Sequence, residues 1–138
     1  MKTGMSVLDA MTKSPVTVFD HATVEECAKI MKKEGLGSLV IMDKGKINGI
    51  ITQEDIVFKV TAERLKLETP VKEIMSTKLI TVTPDTDIYD ALILLKEHGI
   101  KQLPVVHENK LVGISSVKDI LDIEPELFNL WSEQEKIR

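Results

Sequence analysis

Shifted by 64 positions, residues 7–57 of this chain lie over residues 71–121 without a gap, and 12 of the 51 pairs are identical. The identities are Val7/Val71, Met11/Met75, Thr17/Thr81, Val18/Val82, Lys32/Lys96, Gly35/Gly99, Leu39/Leu103, Lys46/Lys110, Gly49/Gly113, Ile50/Ile114, Asp55/Asp119 and Ile56/Ile120. Other pairs exchange one apolar residue for another, among them Val16/Ile80, Val24/Ile88, Ile30/Leu94, Ile41/Val105 and Ile47/Leu111. A pattern written twice in register specifies one supersecondary unit built twice.

Each copy can be read locally. Val16-Thr17-Val18 and Ile80-Thr81-Val82 are β-branched runs that predict short strands. Thr23 with Glu26 forms a capping box, opening a helix with Val24, Cys27, Ala28 and Met31 on one face. In the second copy Asp87 is the cap, followed by Ile88, Ala91, Leu92, Leu94 and Leu95. Gly35 and Gly99 stand where each helix stops, because a left-handed residue there carries no Cβ penalty. Buried strands follow at Leu39–Met42 and Leu103–Val106. Lys44-Gly45 and Glu108-Asn109 then predict hairpin turns into returning strands at Lys46–Ile51 and Lys110–Ile114. Thr52 and Ser116 cap a last helix near Asp55 and Asp119.

Each copy thus reads strand, helix, strand, strand, helix, after a short helical lead-in at residues 6–11 and 71–75. The fold class is α/β (α+β), with repeats at 5–62 and 63–122 and a helical extension over 123–138. A unit of about 50–60 residues buries little core alone. The two repeats are therefore expected to pack sheet to sheet. Residues 61–70 have the composition of a helix end.

Composition narrows the function classes. The chain has 138 residues and a net charge of −4 from 18 basic and 22 acidic side chains. Arg64 and Arg138 are its only arginines and aromatics make up 4%, which argues against phosphate-backbone tracking and base stacking. No apolar run approaches the roughly 20 residues of a membrane span, the longest being residues 38–42. The first six residues lack the apolar stretch of a signal peptide. A lone Cys27 gives no internal disulfide, so the cytoplasm is the expected compartment.

With those motifs in place, the chain resembles a tandem pair of cystathionine β-synthase (CBS) domains, the arrangement called a Bateman module. Five features carry the resemblance in each copy. They are Val-x-x-x-Met before the first strand, Thr-Val within it, Gly-h-x-x-Leu entering the second, Lys-h-x-Gly-Ile in the third, and Gly-Ile-x-Thr/Ser-x-x-Asp-Ile at the last helix. Together they span residues of about 5–122. The resemblance implies a stand-alone regulatory module, not an enzyme, that holds an adenosine compound in the cleft between the repeats. AMP, ADP, ATP and S-adenosylmethionine are the compounds implied. It also implies a flat homodimer and a separate protein effector that reads the bound state.

The Gly-Ile-x-Thr/Ser-x-x-Asp segment has its own chemical logic. A carboxylate accepts two hydrogen bonds at once, which suits the vicinal hydroxyls of a ribose. A hydroxyl three residues earlier, beside helix N-terminal N–H groups, suits a phosphate oxygen. By resemblance Asp55 and Asp119 hold ribose, and Thr52 and Ser116 touch phosphate. The same residues also make an ordinary capping box, and both roles are open to them.

The resemblance further maps a base pocket onto Lys78, Ile80, Lys101, Gln102 and Pro104 in copy two, and onto Ser14, Val16, Gly37, Ser38 and Val40 in copy one. Pro104 fits the family pattern and Val40 departs from it. Lys118 precedes Asp119, whereas Glu54 precedes Asp55. If both point inward, a phosphorylated ligand favours copy two, since like charges about 4–6 Å apart cost on the order of 1 kcal/mol, roughly tenfold in affinity. Both could equally be solvated surface charges.

The remaining candidates point to structure. His21, His98 and His107 lack metal-ligand spacing, Cys27 falls on an apolar helix face, and Lys44-Gly45-Lys46 lacks a phosphate-loop pattern. No serine has a visible His/Asp partner arrangement. Leu127, Phe128, Leu130 and Trp131 form a terminal apolar stripe that either folds back on its own domain or docks on a partner. The functional alternative to a ligand sensor is a scaffold whose ligand sites have decayed.

Overall fold

The computed structural model describes residues 2–137 and separates into two compact units, each a three-stranded sheet packed against helices. One comprises residues 15–79. The other comprises residues up to 14 together with residues from 80 onward. The units cut across the sequence repeats. Residues 5–14 of the 5–62 repeat pack with the second repeat, and residues 63–79 of the 63–122 repeat pack with the first.

In the unit of residues 15–79, β2 (Thr17–Phe19) runs parallel to β3 (Ser38–Asp43), which pairs antiparallel with β4 (Lys46–Thr52). Between β2 and β3 runs α2 (Val24–Glu34). The Thr23 hydroxyl accepts from the Glu26 N–H at 3.0 Å, and Gly35 stops the helix at φ 67°. Its apolar face, with Val24, Cys27 and Met31, joins Leu39, Ile41, Ile51, Val60, Val71 and Ile74 in a core of fully or nearly fully buried side chains. A short α3 (Gln53–Asp55) continues as a π-helical stretch over Ile56–Thr61. The helix expected to end within residues 61–70 stops at their first residue, Thr61. The chain leaves the helix near Ala62 and turns, with Arg64 at φ 57° and Leu67 half exposed.

The other unit contains α1 (Val7–Ala10), β1 (Thr12–Lys13), α4 (Ile88–His98), β5 (Gln102–His107), β6 (Lys110–Ser116), α5 (Val117–Ile123) and α6 (Phe128–Ile137). Its sheet order is β1-β6-β5, antiparallel throughout. Gly99, at φ 63°, stops α4 as Gly35 stops α2. Val7, Ile88, Ala91, Leu92, Leu95, Leu103, Val105, Ile120 and Leu127 form its core. Leu130 and Trp131 pack half-buried on that core while Phe128 is 55% exposed, so the terminal stripe folds back on its own unit.

The two units apply one docking rule to the lead-in segments. Met75 and Ser76 lie over Gly49, and Ile50 bridges to Ser76. Met11 and Thr12 lie over Gly113, and Ile114 pairs with Thr12. A Cβ on Gly113 would stand 2.6 Å from the Met11 sulfur and 2.8 Å from the Thr12 carbonyl oxygen; on Gly49 the corresponding distances are 2.6 Å to Met75 and 2.8 Å to Ser76. Only glycine admits so close a backbone, which explains why the Met and the Gly both recur in the repeat.

The copies differ in their first strand. The expected strand at Ile80–Val82 is reduced to a single bridge from Val82 to Val105. Val82 N–H donates to the Pro104 carbonyl at 3.1 Å and Val106 N–H to the Val82 carbonyl at 2.8 Å. Pro104, however, has no N–H to extend the ladder where Val40 has one. Both hairpin turns form as expected, with positive φ at Lys44, Gly45, Glu108 and Asn109.

Candidate functional site

At the end of β6 the chain turns into α5, and the turn is a complete capping box. The Ser116 hydroxyl accepts from Asp119 N–H at 2.9 Å, and Asp119 Oδ2 accepts from Ser116 N–H at 3.4 Å. Thr12, brought alongside by the β1–β6 pairing, donates its hydroxyl to the same Oδ2 at 3.5 Å. Among the described residues Asp119 Oδ1 has no partner. The box thus fixes the carboxylate by one oxygen and leaves the other open, and the Ser116 O–H stays available as a donor.

The strand opposite supplies the neighbours. Gln102 stands across from Ser116 in register, and Val117 N–H donates to the Lys101 carbonyl at 3.0 Å. Pro104 is buried two residues further along β5, with Ile80 half-buried on the same core. Ile80, Lys101, Gln102, Pro104, Ser116 and Asp119 therefore belong to one unit, at its sheet end and the adjoining strand. Lys78 belongs to the other unit. Lys118 is exposed and its ammonium is 2.9 Å from the Asp122 carboxylate, one helical turn on. That hydrogen bond, then the charge of Asp122, holds the Lys118 pKa above the ordinary lysine value, with Asp119 contributing less.

Copy one repeats the frame with a different electrostatic state. Asp55 N–H donates to the Thr52 hydroxyl at 3.1 Å, and Asp55 Oδ2 accepts from Thr52 N–H at 2.9 Å. Ser38 pairs with Thr52, and Gln53 N–H donates to the Gly37 carbonyl at 3.0 Å. Val40 is fully buried in β3 and Val16 packs on the core, while Ser14 belongs to the other unit at φ 52°. Asp55 Oδ1 is not open: Lys59 Nζ lies 3.2 Å away and also donates to the Ile74 carbonyl at 3.0 Å. Glu54 is exposed. The position matching Lys59 in copy two is Ile123.

Lys59 and Thr12 are the two contacts that sequence reasoning overlooked. Lys59 was available to it, since residues four apart on a helix are neighbours. Thr12 carries no local signal, because 107 residues separate it from Asp119.

An apolar groove of about 270 Å³ lies between α2 and the π-helical stretch, lined by Ala28, Met31, Lys32, Leu36, Gln53, Ile56 and Val57. It contains none of the expected ligand residues. Cys27 is fully buried, and burial, helped by the charge of Glu26, pushes its thiol pKa up to about 11. Among the described residues no three His, Cys, Asp or Glu side chains converge as a metal site, and no helix is long and apolar enough to cross a membrane.

Residues 7–62 and 71–126 each match the family model described as CBS domain. The CBS domain-containing protein YhcV of Bacillus subtilis is 37% identical over 115 residues, covering 83% of this chain and 82% of that protein. A protein of Burkholderia ambifaria, described as a putative signal-transduction protein with CBS domains, superposes with a TM-score of 0.81 at 28% identity, over 91% of this chain and 96% of that one. The CBS domain pair of protein MJ0100, solved in complex with 5-methylthioadenosine and S-adenosyl-L-methionine, gives a TM-score of 0.81 at 31% identity, over 88% and 97% of the two chains. Two matched repeats, each with its capping box and its glycine-docked lead-in, place this chain in the CBS domain family as a tandem pair.

Proposed function

We propose that this CBS pair is a ligand-sensing regulatory module that binds an adenosine-containing compound at the Ser116–Asp119 turn. The observation that carries the reading is the Asp119 carboxylate, which is oriented through one oxygen and open at the other. A ribose diol needs a rigid acceptor of this kind, and the Ser116 hydroxyl three residues earlier can donate to a phosphate or other acceptor. Lys101, Gln102, Pro104 and Ile80 would face the base, with Lys118 as a further cationic contact. The CBS pair of MJ0100, crystallised with S-adenosyl-L-methionine and 5-methylthioadenosine, supports the ligand class. AMP, ADP and ATP belong to the same class.

The copy-one residues of the unit 15–79 (Val16, Gly37, Ser38, Val40, Thr52 and Asp55) are read as the weaker site. The module is further read as a cytoplasmic homodimer that reports to a separate protein effector. Val57 and Phe58 are 53% and 67% exposed, as apolar side chains at an association surface would be. Such signalling requires that the ligand bind two arrangements of the protein with different affinity.

Calorimetric titration with AMP, ADP, ATP, S-adenosylmethionine and NADH tests the reading, on the natural chain and on Asp119→Ala. One ligand per chain with micromolar affinity, about −8 kcal/mol, is expected, and it should vanish in Asp119→Ala while the melting transition persists. Asp119 is the reciprocal arm of a capping box whose cap, Ser116, remains, so its loss alone costs about 1 kcal/mol or less. A folded, nucleotide-free protein silent across the panel would favour the scaffold instead.

A further inference from the structure

We infer that Lys59 is a built-in occupant of the copy-one carboxylate and the residue that restricts adenosine binding to copy two. The inference rests on the reading of Asp119 as a ribose acceptor and asks why its twin, Asp55, does not act alike. The two capping boxes agree in their main-chain bonds, so the frame is not the difference. The difference is the second carboxylate oxygen.

Asp55 Oδ1 is 3.2 Å from the Lys59 ammonium, which is tethered at its other side to the Ile74 carbonyl at 3.0 Å. The Asp55 side chain is 17% exposed and that of Lys59 47%, so the carboxylate is shielded while the ammonium stays in contact with solvent. A ribose diol approaching Asp55 must displace an ammonium ion paired with it and offers only neutral hydrogen bonds in return. At Asp119 the equivalent position is Ile123, and Oδ1 accepts the ligand without displacing a cation. The second tether matters because an untethered lysine would swing aside into water at little cost. The carbonyl takes one ammonium proton and so holds the charge beside Asp55. Charge at the residue before the aspartate, Lys118 against Glu54, is secondary, since Glu54 is exposed and Lys118 is engaged with Asp122.

The test is calorimetric titration with S-adenosylmethionine and with AMP of Lys59→Ile, which copies the second repeat, and of Lys59→Arg, which keeps the cation. Lys59→Ile should gain an additional site per chain, with affinity at Asp55 raised about ten- to a hundredfold. Adding Asp55→Ala should remove that site, and Lys59→Arg should leave the stoichiometry of the natural chain unchanged. Circular dichroism melting shows that each variant is folded.

If Lys59→Ile gains nothing, or binds more weakly because the lysine was itself a ligand contact, the inference is overturned. It is also overturned if the natural chain already fills two sites. The natural chain and Asp119→Ala judge the sensor reading separately. An Asp55-dependent gain in Lys59→Ile, from a natural chain that binds nothing, would sustain the role of Lys59 while refuting Asp119 as the working site.

Discussion

Replacing Gly113 by alanine should destabilise the unit of residues 2–14 and 80–137, by an amount set by two contacts. The added Cβ would lie 2.6 Å from the Met11 sulfur and 2.8 Å from the Thr12 carbonyl oxygen, and Cβ atoms essentially never approach heavy atoms closer than 3.0 Å. The methionine side chain can rotate away, but the carbonyl belongs to β1, whose pairing to β6 consists of Thr12↔Ile114 and Lys13↔Gly113. The strand must therefore shift or detach. Overpacking of this kind costs about 1–3 kcal/mol, and alanine's lower backbone entropy returns about 0.5–1 kcal/mol. The net loss is then centred on about 1 kcal/mol and reaches at most about 2.5 kcal/mol. At a urea slope of about 2 kcal/mol per molar the unfolding midpoint falls by about 0.5 M, and by at most about 1.3 M. Trp131 packs on this unit's core and is the chain's only tryptophan, so its fluorescence follows the transition. In a Met11→Ala background the penalty should shrink without vanishing, because the carbonyl remains. A Gly113→Ala midpoint at or above that of the natural chain would refute the close-approach argument, and full rescue by Met11→Ala would assign the clash to sulfur alone.

Two other perturbations follow from the same unit. The Ser115 hydroxyl is fully buried and has no hydrogen-bond partner among the described residues, where the first repeat has Ile51. Ser115→Ala should raise stability by about 1 kcal/mol, and a lowered urea midpoint would show that the hydroxyl is satisfied after all. Asp87 accepts from Tyr89 N–H at 2.8 Å and from the Thr3 hydroxyl, Thr3 N–H and Gly4 N–H, each at 3.0 Å. Burial pushes its carboxyl upward, but these hydrogen bonds outweigh burial and hold it below the ordinary aspartate value of 3.8. A carboxyl depressed on folding contributes stability above its unfolded pKa and loses it as pH falls through the folded one. The stability difference between the natural chain and Asp87→Asn should thus be constant from pH 7 to about 5 and shrink below about 4. A difference independent of pH down to 3 would contradict this.

What the sequence by itself determined is the set of features written in local chemistry. Thr23 and Asp87 cap their helices, Gly35 and Gly99 end them in left-handed geometry, and both hairpins turn where a small or polar pair permits positive φ. These outcomes depend on residues within about four positions of one another, and the 64-residue repeat makes each reading check its twin. The capping boxes that orient Asp55 and Asp119 belong to the same class. Tertiary structure decided the rest, because it depends on segments distant in sequence. Neither the Met nor the Gly of the repeat announces that Met11 docks on Gly113 and Met75 on Gly49. The shortening of the Ile80–Val82 strand needed its partner, Pro104, since a missing N–H matters only where a ladder would use it. The end of the helix at Ala62 was hidden by apolar residues that the fold leaves partly exposed. The chemical asymmetry of the two carboxylates also emerged only in three dimensions. Lys59 lies within helical reach of Asp55 in sequence, but it becomes a fixed counter-ion only because folding brings the Ile74 carbonyl to its other side.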